Sequence, residues 1–212
     1  MMKISDLFGS VTSVLSVMMF LLAVPSAKAV DEASTSKIKV DNHSFKCITE
    51  MTKVRQFYVD NLLGNLGGTV AVAKAETGEY PEGSVVQLVP NEVMIKHEKG
   101  FNPATRDWEF FLLDVDKDGS KILRRGFTEV NNHFDMNCFA CHAKARPEFD
   151  LICEESHGCD PIPLTPAMFR ALQKTDPRCQ NPQPLSTEDA QALKDLAEVF
   201  KALQTSQPAD KQ

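Results

Sequence analysis

Hydrophobic and polar positions are patterned most clearly in the middle of the chain. Residues 84–89 (SVVQLV) and 92–97 (EVMIKH) are short β-rich runs separated by Pro90-Asn91, a turn signal. Residues 107–115 (DWEFFLLDV) read as another strand, Asp116-Lys117-Asp118-Gly119 as a turn, and residues 120–124 (SKILR) as the return. This block predicts antiparallel sheet. Helical spacing appears on either side of it. Met51, Val54, Tyr58 and Leu62 predict a helix over residues 48–62, ended by Gly64, Gly67 and Gly68. Thr165-Pro166 predicts a short helix through about Lys174, with threonine as cap and proline in the first position. Ser186 and Thr187 cap a last helix whose Leu193, Leu196, Ala197, Phe200 and Leu203 form one apolar face. Residues 30–46 are polar and read as a loose lead-in, and the tail from Gln204 as frayed. The expected class is α+β, a central antiparallel β-sheet with flanking helices.

The length of 212 residues suits one ordinary domain better than two. The first 29 residues stand apart. Lys3 gives a basic start, residues 11–24 are apolar, and Ala27-Lys28-Ala29 supplies small residues in an A-x-A pattern, the order of a cleavable signal peptide. A membrane anchor is the competing reading, but a span needs about 20 apolar residues. Cleavage near Ala29 leaves residues 30–212 as a single exported, periplasmic domain with no integral membrane span. It also removes Lys3, Lys28 and Asp6, leaving 21 basic against 28 acidic side chains, a formal charge of −7. That argues against nucleic acid as a partner, because phosphate binding needs a basic face.

Cysteine usage adds chemistry. All six cysteines, Cys47, Cys138, Cys141, Cys153, Cys159 and Cys179, lie in the exported part. Residues 138–142 read Cys-Phe-Ala-Cys-His, the attachment pattern of a c-type haem. Two thiols at this spacing add to the two vinyl groups as thioethers, and the adjacent histidine reaches the iron. Cys138, Cys141 and His142 are therefore the expected cofactor-binding residues, with His142 the metal ligand and haem c the cofactor. A thioredoxin-like redox pair would want its motif at a helix start in a βαβ setting. A zinc site needs four ligands, and Cys153, His157 and Cys159 could complete one. A plain disulfide is strained at this spacing.

With haem on two cysteines, four remain, which allow three pairings that sequence alone does not decide. Cys153 with Cys159 and Cys47 with Cys179 is the preferred arrangement. The sixth iron position is open to Met94, Met168, His97, His133, His157 or Lys96. A methionine or histidine there would make an electron carrier; an empty apolar position would admit a small gas or nitrogen compound. Asp114, Asp116, Asp118, Gly119 and Ser120 mimic the start of a calcium loop. However, its twelfth position is Arg125 and the flanks read as strands, so a hairpin turn is expected.

A longer series of motifs surrounds the haem pattern. Tyr80-Pro81-x-Gly83-Ser84-Val85-Val86, Met94-x-Lys96, Gly100-Phe101-Asn102-Pro103, Asp107-Trp108-x-Phe110, Asn137-Cys138-Phe139-Ala140-Cys141-His142 and Asp150 follow in order. Over about residues 80–152 the series resembles the cytochrome P-460 family, which includes the cytochromes c-prime-beta. The resemblance implies a mostly antiparallel β fold, commonly a homodimer, with a five-coordinate haem whose proximal ligand maps to His142. Members of the family oxidise hydroxylamine or bind nitric oxide. The oxidising members cross-link a lysine to the haem edge just after the Pro-x-Gly-[ST]-Val segment, where Leu88 stands here. The cysteine-rich extension at 153–179 departs from the family pattern.

Three functions follow as expectations. The first is a mono-haem c-type cytochrome for electron transfer with a redox partner protein, or for binding nitric oxide. The second is a haem oxidoreductase acting on hydroxylamine or a similar nitrogen compound. The third is a non-haem exported protein with structural zinc or disulfides.

Overall fold

The computed structural model describes residues 36–206, with side chains to residue 202. The signal-peptide expectation for residues 1–29 and the side chain of Leu203 lie outside the described residues. Six strands run β1 (Thr52–Val54), β2 (Phe57–Asn61), β3 (Ser84–Val89), β4 (Glu92–Lys96), β5 (Trp108–Asp116) and β6 (Gly119–Gly126). They pair antiparallel in sequence order to form one meander. Four helices accompany them: α1 (Leu66–Ala75), α2 (Cys138–His142), α3 (Pro166–Lys174) and α4 (Thr187–Ser206). The α+β class is as the sequence predicts.

Both faces of the sheet are covered, which explains the near-continuous apolar runs of β4 and β5. Successive side chains point to opposite faces. The first face carries Phe57, Val59, Val86, Met94, Trp108 and Phe110, joined by Ala73 of α1 and by Tyr80, Val130, Leu151 and Ile152. The second carries Tyr58, Val85, Val93, Ile95, Phe111 and Leu113, joined by Ile38, Phe45, Ile48 and Met51. Trp108, Ile95 and Leu113 are wholly buried, each worth roughly 2–3 kcal/mol of apolar burial.

The expected helix over 48–62 is instead the hairpin β1–β2. Arg55 turns it in the left-handed region at φ 53°. Met51 and Tyr58 enter the second face, while Val54, Phe57 and Val59 enter the first. A three-to-four spacing of apolar residues fits two short two-faced strands as well as one helix, and the aromatic and β-branched content decides for strands. The glycines that were to end that helix sit at the start of α1. There the Asn65 side chain caps the Gly68 N–H. The lead-in is not loose where it is described, since Ile38 and Phe45 are buried on the second face. Asp116 accepts from the N–H groups of Asp118 and Gly119, so the calcium-like stretch is a hairpin turn.

Helices α3 and α4 form an antiparallel pair with its own core of Met168, Ala171, Ala192 and Leu196. Leu193 and Phe200 pack against that core as expected, but Ala197 is exposed and Val199 takes its place. The pair is clamped to the sheet. Gln173 donates to the carbonyls of Gln56 (2.7 Å) and Leu88 (2.8 Å), and Asp176 accepts from the Ile48 N–H (2.9 Å). Disulfides join Cys47 to Cys179 and Cys153 to Cys159, the arrangement preferred from sequence. Among the described residues no helix is long and apolar enough to cross a membrane.

Candidate functional site

The Cys-Phe-Ala-Cys-His segment forms α2, and its capping follows from sequence. Asn137 accepts the Ala140 N–H on its side-chain oxygen (2.8 Å). Its side-chain nitrogen donates to the Thr128 carbonyl (2.9 Å) and to Asn131 (3.1 Å), which fastens the helix start to the chain leaving β6. Residues at i, i+3 and i+4 share one helical face, so one turn gathers Cys138, Cys141 and His142. Cys138 and Phe139 pack on the first-face core, where half-buried Leu88 also lies. Phe110 meets the His142 ring at 5.4 Å between centroids and the Phe139 ring at 6.4 Å.

His142 bonds through Nδ1 to the Leu151 carbonyl at 2.7 Å. A carbonyl only accepts, so Nδ1 carries the proton and Nε2 keeps its lone pair. Burial pushes the His142 pKa down, so the ring is neutral at physiological pH. One ring nitrogen is thus oriented by a backbone acceptor and the other is free, an arrangement that would suit a metal ligand.

Cys138 and Cys141 are the free cysteines among the described residues. Burial pushes the Cys138 thiol up to about 12, with the Glu92 carboxylate adding to the effect, and burial raises Cys141 too. Neither is a ready thiolate, which counts against a thioredoxin-like role. Cys153 and Cys159 are spent on each other, so they do not complete a zinc site with His157. Cys47, Asp176 and Cys179 lie close together, but the two cysteines are joined there as well.

Of the six residues considered for the far side of the iron, only Met94 shares the apolar cluster of Cys138. His97 lies beyond the sheet with both ring nitrogens engaged, by Ser36 (2.6 Å) and Glu109 (2.7 Å). Met168 belongs to the α3–α4 core, and its sulfur faces the Thr165 N–H. His133 is exposed. His157 is buried with Nδ1 on the Ile152 carbonyl (2.7 Å) and its ring stacked on Phe149 at 3.7 Å; its Nε2 has no hydrogen-bond partner. Lys96 places Nζ 2.8 Å from both Asp150 oxygens.

No known protein family, curated protein or solved structure matches this chain.

The scattered motif residues Tyr80, Lys96, Trp108 and Asp150 converge behind α2. Asp150 accepts from Lys96 and from the Tyr80 N–H (2.9 Å), and its own carbonyl accepts the Trp108 indole N–H (2.8 Å). Tyr80 and Trp108 meet edge to face, and Lys96 lies over the indole at 5.2 Å. The Leu151 carbonyl and half-buried Glu92 are parts of the site that sequence reasoning missed. A backbone acceptor leaves no mark in a sequence. Glu92 had one, since it alternates with Met94 and Lys96 along β4. Burial raises its pKa to about 7, which Asn132 opposes. Two thiols, a neutral imidazole with a free lone pair and an apolar surround could hold a prosthetic group through two thioethers and one imidazole nitrogen.

Proposed function

We propose that this chain is an exported, periplasmic mono-haem c-type cytochrome with a P-460-like pocket that binds a small gas such as nitric oxide. The observation that carries the reading is the division of the cysteines. Four are paired, and the two left as thiols share one helical turn with a histidine whose Nδ1 is already committed to a carbonyl. Cys138 and Cys141 would hold the haem covalently, and His142 Nε2 would ligate its iron. When bound, the haem supplies an iron that exchanges one electron and accepts a diatomic ligand.

The chain's own residues shape what that iron meets. Leu88, Val86, Phe110 and Phe139 make the surround of Cys138 apolar, which suits a neutral gas, and half-buried Glu92 is the titratable group beside it. Leu88 stands where the oxidising members of the resembled family carry the cross-linking lysine, and Lys96 is held by Asp150 instead. Hydroxylamine oxidation is therefore the less favoured chemistry. Met94 keeps electron transfer to a redox partner protein as the second reading, because it is the one candidate ligand in the right cluster. The disulfides support an oxidising compartment.

Haem staining after denaturing electrophoresis tests the attachment, because only covalent haem survives; an unstained band rejects the reading. Spectra of the reduced protein with nitric oxide and carbon monoxide then separate the two functions. A shift on gas addition supports the open position, and an unchanged spectrum removes gas binding and leaves electron transfer.

A further inference from the structure

We propose that the buried Lys96–Asp150 pair is a positioning device for His142, fixing the bend at 150–151 so that the Leu151 carbonyl holds the imidazole. The inference rests on the haem reading above and names what sets the strength of its axial ligand.

The ion pair is sealed, with each side chain 3% exposed. Stability alone does not account for such a pair. Removing two charges from water carries a large desolvation cost, and well-packed apolar replacements are often neutral or better. What this pair does achieve is geometric. Asp150 and Leu151 both sit in the left-handed region, at φ 48° and 65°. Each is unfavourable for a residue with a Cβ and persists only where its surroundings enforce it. The enforcement is visible. Lys96 from β4 and the Tyr80 N–H grip the Asp150 carboxylate, and Trp108 from β5 grips its carbonyl. The next carbonyl along is Leu151, the acceptor for His142 Nδ1. The rigid sheet thus reaches the imidazole through one carboxylate and one peptide unit. A hydrogen bond at Nδ1 makes the ring a stronger donor at Nε2, and stronger donation favours ferric over ferrous iron.

The test compares the wild-type holoprotein with Asp150→Asn, Lys96→Met, Trp108→Phe and Asp189→Asn, the last a remote ion-pair variant that serves as the structural control. The readouts are covalent haem, melting temperature, midpoint potential and the iron–histidine stretching band of the ferrous protein. Asp150→Asn and Lys96→Met are expected to keep covalent haem, raise the potential and move the band to lower frequency. Trp108→Phe should do the same to a smaller degree, and Asp189→Asn should lower the melting temperature alone. Covalent haem with unchanged potential and band in Asp150→Asn overturns the proposal and leaves the haem reading standing. If the two charge variants do not accumulate, Trp108→Phe decides by the same criterion. Absence of covalent haem from the wild type overturns both.

Discussion

The two faces of the sheet each hold a histidine, and they use it in opposite ways. On the second face, His97 is closed in. Ser36 holds one ring nitrogen and Glu109 the other, Arg125 grips Glu109 through two nitrogens, and Phe101 stacks on the ring at 4.4 Å. Every strong donor and acceptor there is spent. On the first face, a network of similar size runs through Lys96, Asp150 and Leu151 and ends at His142 Nε2, which has no partner among the described residues. The lesson is about where a buried polar network stops. One that closes on itself holds the fold together. One that ends in an unshared lone pair beside two thiols is prepared to hold something else.

The largest expected effect breaks the first face alone. Replacing Cys138 and Cys141 together by alanine should abolish stainable haem while the far-ultraviolet circular dichroism stays that of the folded chain. Retained covalent haem would remove the contrast. On the second face, Glu109→Ala leaves a buried His97 ring nitrogen without its hydrogen-bond partner and should cost about 2 kcal/mol in denaturant unfolding, with the visible spectrum unchanged. A spectral shift in that variant would show that the faces are coupled.

Glu92 sharpens the comparison by pH. Its folded-state pKa lies above its ordinary 4.5, at about 7, because burial disfavours the carboxylate. Its contribution to stability is thus fully present below about 4.5 and lost as pH rises through 7, by at most ~3 kcal/mol. Glu92→Gln should flatten that slope in melting curves taken across the window; an identical slope would exclude Glu92 as its source.

The smallest effect concerns neither face. Lys174, the Ser186 N–H and Arg170 hold the Asp189 carboxyl well below the usual carboxylate range. The stability it lends the α3–α4 pair is present above the ordinary carboxylate pKa and lost as pH falls through its lowered value. Asp189→Asn should raise hydrogen exchange in α3 and α4 at neutral pH and leave the sheet protected. Uniform exchange changes would show that the pair does not open by itself.

Much of the first face was legible because its information is local. Cys138, Cys141 and His142 lie within five residues, and β3 to β6 announce themselves as short β-rich runs and by turns at Pro90-Asn91 and Asp116–Gly119. Residues 48–62 misled because two spacings overlap there and the choice was made by tertiary partners, Met51 and Val54 facing opposite cores. Met168 and His97 looked available as ligands because their neighbours, Ala192 and Glu109, are distant or on another strand. The Leu151 carbonyl could not be read at all. Only the series Tyr80, Lys96, Trp108, Asp150 hinted that something behind the motif was being held.

The Cys47–Cys179 bond has a topological consequence. It joins residues 132 apart in sequence, and a loop of that size contributes about 5 kcal/mol in the chain-entropy account. The whole sheet and the Cys-x-x-Cys-His segment lie inside this covalent ring, with α4 as a tail outside it. A protease that cuts any single peptide bond between 47 and 179 therefore opens the ring without separating the pieces. Only a cut combined with reduction releases a fragment.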